Sequence, residues 1–355
     1  MADNIRIKNI YYMLSYAYQS LKENGYEKLS SEEFDNIHDL FAAILCLGVS
    51  GQIKRGLNRD YVPLEESLAG LRGQIRISEI IKTQSMTQGK LVCAYDEFTE
   101  NTLLNRIIKS TLVLLIRHGN VKPDNKKGLR KLLLYFSNVS DIDCRSIHWD
   151  AVKYHRNNSS YRALINICYL VIKGFLQTTQ KGDYQLSSWL QDEEMHRLYE
   201  HFVLAYYRRH HPELHPAASY IDWDIPSFED KSLLPAMKTD ITLSNGERKL
   251  IIDTKYYSNT MQINSLFNST TFISSNIYQI FTYVKNSDKA GNGNVAGVLL
   301  YAKTNEALTP DHTFTMGGNK ISLRTLNLDC EWEKITAQLE GLCLWFIADS
   351  ERIKL

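Results

Sequence analysis

Residues Ala236 to Tyr257 read AMKTDITLSNGERKLIIDTKYY, a stretch that predicts two short strands joined by an Asn245-Gly246 turn. That dipeptide is a strong hairpin signal, because a type I′ turn needs positive φ at both central residues and Asn-Gly tolerates it. With those two residues in the loop, Ser244 faces Glu247 and Asp240 faces Ile251. Asp253 then lies one diagonal step further along the same sheet face. Lys255 shares that face, since side chains alternate with period two. The opposite face carries Met237, Ile241, Leu243, Leu250 and Ile252, which build a core. Two carboxylates and one ammonium are thus gathered on one side of a hairpin whose second strand is otherwise apolar, an arrangement that a solvated face explains poorly.

Two carboxylates a diagonal step apart can share a hard divalent cation, which takes oxygen ligands and keeps waters and a substrate phosphate. A lysine two residues on can hold an attacking water or the charge that develops on phosphorus. Asp240 followed by Asp253-Thr254-Lys255 resembles the catalytic signature of PD-(D/E)xK nucleases, with Asp240 as the first acid and D-x-K as the second element. Thr239 stands where the idealised motif has proline. The bare pattern is common, and a structural ion pair is its bland reading. The shared hairpin face favours chemistry.

The chain has 355 residues, enough for two domains, and 44% hydrophobic residues, enough for ordinary cores. Its 41 basic and 40 acidic side chains nearly cancel, so any nucleic-acid surface must be local. Six cysteines, Cys46, Cys93, Cys144, Cys168, Cys330 and Cys343, are dispersed without CxxC or Cys/His ligand spacing, which suits reduced thiols. With no signal-peptide pattern and no apolar run of membrane-spanning length, the expected location is cytoplasmic, away from membranes.

Along the chain, Ile5 to Leu21 has helical apolar spacing flanked by tyrosines, and a helix from about Asp35 to Gly51 follows. Leu71 to Ile77 (LRGQIRI) and Lys90 to Tyr95 read as strands of a small α/β module. Helices are expected over Asn101 to His118 and Lys126 to Phe136. Ser146 to Arg162, polar and rich in turn formers, is the linker candidate, more a solvated connection than a phosphate contact. The expected domains are therefore 1–150 and 151–355. A helix over Tyr161 to Leu176, apolar on most sides, is expected to be buried between the halves.

The helix from about Gln191 to Arg209 opens with acids and closes with Arg208 and Arg209, both favourable to its dipole. Glu200 borders its apolar stripe and can reach the hairpin face to complete a metal site; an exposed acid is the alternative. His210, His211 and His215 in HHPELHP suggest zinc, but the lack of nearby cysteines and the prolines favour a plain connection. Ser258 to Ser275 reads as a loop. Asn276 to Lys285 reads as a helix on which Gln279 and Tyr283 share one face, matching the Q-x-x-x-Y helix of several PD-(D/E)xK lineages. Strands over Val295 to Ala302 and Ile321 to Leu328 and a closing helix over Glu331 to Phe346 complete a mixed α/β domain, a sheet flanked by helices.

Taken together, RIKNIYYMLSYAY, LRGQIRI, YDEFTENTLLNRIIKSTL, TDI, DTKYY and YQIFTY, in that order, resemble McrC, the nuclease subunit of modified-cytosine restriction systems. The resemblance runs from about Arg6 to beyond Tyr301. It implies a PD-(D/E)xK domain of restriction-endonuclease type that cleaves methylated double-stranded DNA, preceded by a domain that binds a ring of McrB-like AAA+ GTPase subunits and stimulates them. It further implies Mg²⁺ held by Asp240, Asp253 and the Thr254 carbonyl, water oriented by Lys255, Glu200 in the helix-acid position, and Gln279 and Tyr283 in supporting roles. GTP belongs to the partner, since no GxxxxGK[ST] occurs and GNGNVAG lacks the necessary lysine and hydroxyl. The rival readings are a non-catalytic adaptor of an AAA+ ring and a stand-alone nuclease.

Overall fold

A computed structural model describes residues 5–18, 29, 34, 36–179, 192–226, 230, 232–256, 261–264, 269–303 and 309–351. The chain forms two units, one of Lys22–Gly182 and one that joins Met1–Leu21 to Asp183–Leu355. The division therefore falls after residue 182 rather than at 150/151, and the first helix, α1 (Ile7–Ala17), belongs to the second unit.

The inserted unit packs helices α2 (Ile37–Arg55), α4 (Leu103–His118), α5 (Pro123–Leu133) and α6 (Arg162–Thr179) around a core of Leu40, Phe41, Ile107, Leu112, Ile167 and Val171. Asn36 caps α2 by accepting the Asp39 amide, satisfying one of the orphan donors at a helix start. α2 is long and apolar enough to cross a membrane, but it is mostly buried in this core. Beside the helices, β1 (Asp60–Leu68), β2 (Gln74–Ile75) and β3 (Leu91–Thr99) form an antiparallel sheet in the order β1-β3-β2, and α3 (Ile77–Thr83) follows β2. Only two residues of LRGQIRI pair as strand. Gly73 has φ +69°, and a Cβ there would lie 2.4 Å from the Ala94 carbonyl oxygen, so the strand begins only after it. β1 contains Pro63, tolerated because β1 is an edge strand.

Ser146 to Arg162 is part of this unit rather than a linker. It folds into short 3₁₀ turns, buries Asn158, and its Tyr161 hydroxyl accepts the Asn58 amide at 2.8 Å. α6 packs on α2 and α4 of its own unit, which is where its apolar sides go.

The discontinuous unit contains α7 (Asp192–His210), β4 (Tyr220–Ile221), β5 (Met237–Lys238), β6 (Ile241–Asn245), β7 (Arg248–Lys255), β8 (Met261–Asn264), β9 (Ser269–Phe272), α8 (Ser274–Ser287), β10 (Val295–Ala302), β11 (His312–Met316), β12 (Asn319–Leu326) and α9 (Trp332–Glu351). Ser258 to Ser275 holds the β8-β9 hairpin and the start of α8, while residues 257–260 and 265–268 lie outside the described residues. Among the described residues the main sheet has the order β11-β12-β10-β7-β6, parallel through β12, β10 and β7 and antiparallel at both edges. All eight positions of β10 are buried, as expected for a strand covered on both faces.

The hairpin forms, but with a shifted turn. Asn245 pairs with Arg248, leaving Gly246 (φ +61°) and Glu247 as the loop, the glycine-first pattern of a type II′ turn. Ser244 therefore faces Lys249 and Ile251 faces Thr242, while Asp240 sits just ahead of β6. The pairing moves by two residues, so the alternation of faces survives.

Against one face of the sheet lies α8. Ile280, Tyr283 and Val284 pack on Ile251, Leu299, Tyr301, Ile321 and Leu323, and Met237 joins this cluster rather than the opposite face. Gly297 permits the close approach, since a Cβ there would lie 2.8 Å from side-chain atoms of both Ile280 and Val284. α1 is tied into the same unit by several contacts. Asn9 donates to the Leu328 and Cys330 carbonyls, both at 2.8 Å, and Arg6 pairs with Glu331. Tyr12 stacks on Trp332 at 4.5 Å, and Tyr16 contacts Phe202 and Tyr206 of α7.

Candidate active site

The C-terminal end of β7 places Asp253, Thr254 and Lys255 in succession, all buried. Lys255 Nζ lies 2.7 Å from Asp253 Oδ2 and donates to Gln279 Oε1 at 2.9 Å, and Gln279 Nε2 donates to the Tyr283 hydroxyl at 3.1 Å. A Tyr283-Gln279-Lys255-Asp253 chain thus runs from α8 to β7. It exists because residues four apart share a helix face and because Gly297 lets that face approach the sheet. Asp240 is brought alongside by a different device: its Oδ2 accepts both the amide and the hydroxyl of Thr254, each at 2.7 Å.

Burial raises the Asp253 carboxyl to about 6, Lys255 opposing the shift and Asp240 adding to it. Glu200 on α7 is half-buried, and its carboxyl is also raised, first by burial and then by Asp240. Asp240 therefore couples to the other two acids, and the three share one negative region. Hard oxygen donors from Asp240, Asp253 and the Thr254 carbonyl suit Mg²⁺. Among the described residues, no three His, Cys, Asp or Glu side chains form a metal-binding group unaided, so a cation here would take backbone or water oxygens beside the two aspartates.

One residue of this region escaped the sequence reading. His196, four before Glu200 on α7, places Nε2 2.7 Å from the Thr254 carbonyl oxygen. The i, i+4 spacing to Glu200 was its only signal.

Two histidines of HHPELHP engage other groups: His210 meets the Tyr16 hydroxyl at 2.8 Å, and His211 meets Glu213 and Glu340. The glycine-rich run after α8 is a turn closed on Asp288, whose carboxylate accepts the Asn292 and Gly293 amides and the Asn319 side chain.

Fold and site together define a mixed α/β protein with an acidic, lysine-flanked cluster at the C-terminal end of a parallel strand. A family model of McrBC 5-methylcytosine restriction system components matches residues 2–302. The type IV methyl-directed restriction enzyme EcoKMcrBC of Escherichia coli K12 is 32% identical over 338 residues, covering 94% of this chain and 96% of that protein. The chain belongs to the McrBC restriction system component family. Among solved structures, the half-complex from a tetradecameric assembly of Thermococcus gammatolerans McrB AAA+ hexamers with bound McrC is similar with a TM-score of 0.47 and 17% identity, over 92% of this chain and 75% of that one. The cryo-EM structure of the Thermococcus gammatolerans McrBC complex is similar with a TM-score of 0.38 and 21% identity, over 58% and 60%.

Proposed function

We propose that this chain is the DNA-cleaving subunit of a GTP-dependent modified-cytosine restriction system, hydrolysing phosphodiesters with Mg²⁺ and stimulating an McrB-like AAA+ GTPase. The observation that carries the reading is the buried Asp253-Lys255 pair, held from α8 by Gln279 and Tyr283 and flanked by Asp240. A structural ion pair would also need its remaining protons satisfied, so what favours chemistry is the second aspartate, Asp240, brought alongside the pair.

Asp240, Asp253 and the Thr254 carbonyl would hold the cation. Bound there, Mg²⁺ supplies Lewis acidity toward a phosphate oxygen and lowers the pKa of water. Lys255 presents its ammonium to the attacking water and to the charge that develops on phosphate oxygens. Gln279 and Tyr283 hold that ammonium in place, since a misplaced catalytic group loses most of its effect. Glu200, whose carboxyl feels the charge of Asp240, is a further acid of the cluster.

The inserted unit is the part assigned to the AAA+ partner. Tyr61, Ile77, Ile81, Met86 and Phe98 are exposed on its sheet and neighbouring helices, apolar side chains open to a partner. α1 serves the other unit, so removing the first 21 residues tests nuclease folding rather than partner stimulation.

The test mixes the purified chain with a McrB-like GTPase, methylated plasmid, Mg²⁺ and GTP, beside an Asp253→Ala control. Double-strand cleavage that needs every component and Asp253 is the expected result. Cleavage without partner or nucleotide would replace this reading with a stand-alone nuclease, and GTPase stimulation without cleavage would replace it with an adaptor.

A further inference from the structure

Thr254 is tied down through all of its polar groups. Its amide and hydroxyl donate to Asp240, and its carbonyl meets His196 Nε2 at 2.7 Å. A carbonyl oxygen only accepts, so the hydrogen in this contact sits on Nε2 and the ring donates. A nitrogen carrying that hydrogen has no lone pair for a cation, whereas the carbonyl keeps a second one. His196 belongs to the same helix as Glu200. Its place on α7, one helical turn before Glu200, joins the helix that supplies the acid to the strand that supplies the carbonyl.

We propose that His196 is a positioning residue of the cation site, its Nε2–H fixing the Thr254 carbonyl in the orientation that lets the oxygen serve as a ligand beside Asp240 and Asp253. The proposal rests on the cation reading given under the proposed function. Groups that orient ligands from behind set affinity without touching the ion; their loss costs about 10–100-fold in metal affinity. His196 therefore governs how tightly the cation binds, while the chemistry stays with Asp240, Asp253 and Lys255.

The experiment titrates Mn²⁺, a paramagnetic stand-in for Mg²⁺, into the full chain without DNA and follows free and bound ion by electron paramagnetic resonance. The wild type is compared with Asp253→Ala, His196→Ala and His196→Gln, and circular dichroism melting is recorded for each. Asp253→Ala abolishes the tight site, His196→Ala weakens it about tenfold or more, and His196→Gln, whose amide N–H can still donate, recovers most of the loss. Unchanged affinity in His196→Ala overturns the proposal. So does equal weakening in both His196 variants accompanied by early melting, which marks a merely structural role. A nitrogen coupling in the wild-type Mn²⁺ spectrum that vanishes in His196→Ala would make the ring a ligand and also overturn it. If Asp253→Ala binds like the wild type, the cation reading itself fails, an outcome distinct from the others.

Discussion

The inserted unit's β1 and the discontinuous unit's β10 are strands of similar length, nine and eight residues, put to opposite uses. β1 is an edge strand with most of its positions open to solvent, and its neighbours leave Tyr61 and Phe98 exposed. β10 is buried throughout, with α8 seated on one face through Gly297. A sheet covered on both sides can hold charge in low dielectric, where electrostatics are strong, and β7 beside β10 does so with Asp253 and Lys255. An uncovered sheet offers only surface. Under the proposed function, chemistry belongs to the covered sheet and recognition to the open one.

The sharpest way to break that contrast is Asp253→Asn, which removes charge without changing volume. Cleavage of methylated plasmid in the presence of the partner should fall by about 10²–10³-fold, and retained cleavage would leave the buried strand without a catalytic role. Leu14→Ala in α1, at a fully buried position, should cost about 2–5 kcal/mol in urea unfolding. Hydrogen exchange should show the lost protection in α7 and α9; loss confined to α2 and α4 would return α1 to the inserted unit.

A third test concerns His38, buried in the inserted unit, stacked on Phe175 and accepting the Asn120 amide through Nδ1. Burial lowers its pKa to about 4 from the ordinary 6.5. Above pH 6.5 the ring is neutral in both folded and unfolded chains. As pH falls toward 4 the unfolded chain takes the proton first, so stability declines by up to about 3 kcal/mol and then levels off. Urea midpoints of the inserted unit between pH 7 and 4 should show this slope, and His38→Phe should flatten it. The smallest effect is expected from Gly297→Ala, whose new methyl presses on Ile280 and Val284 and should cost about 1–3 kcal/mol. Cleavage should weaken with it as Gln279 moves off Lys255, and unaltered cleavage would separate the seating of α8 from the site.

Much of the candidate site's geometry was legible because local patterns carry it. The unbroken apolar run of β10 identifies a buried strand, and Gln279 and Tyr283 declare a shared face by spacing. The hairpin's faces were readable while its register was not: Asn-Gly permits a type I′ loop, but pairing Asn245 with Arg248 places Gly246 alone at positive φ. Sequence could not assign α1 to its unit, because its partners Phe202, Leu328 and Trp332 lie far along the chain and helical periodicity names no partner. β1 was missed because Pro63, Glu65 and Glu66 blur its alternation, and β11 because its side chains are mostly exposed. His196 was invisible for a similar reason, since its contact is with a backbone carbonyl.

The return of α1 to the end of the chain also sets an order of assembly during synthesis. Trp332, the ring that Tyr12 stacks on, leaves the ribosome 320 residues after it. At about 5–20 residues per second that interval is on the order of tens of seconds. Translation that stops early, even beyond Tyr283, yields every acid of the pocket but leaves α1 without its docking ring. α1 therefore stays undocked until α9, which carries Trp332, has been translated.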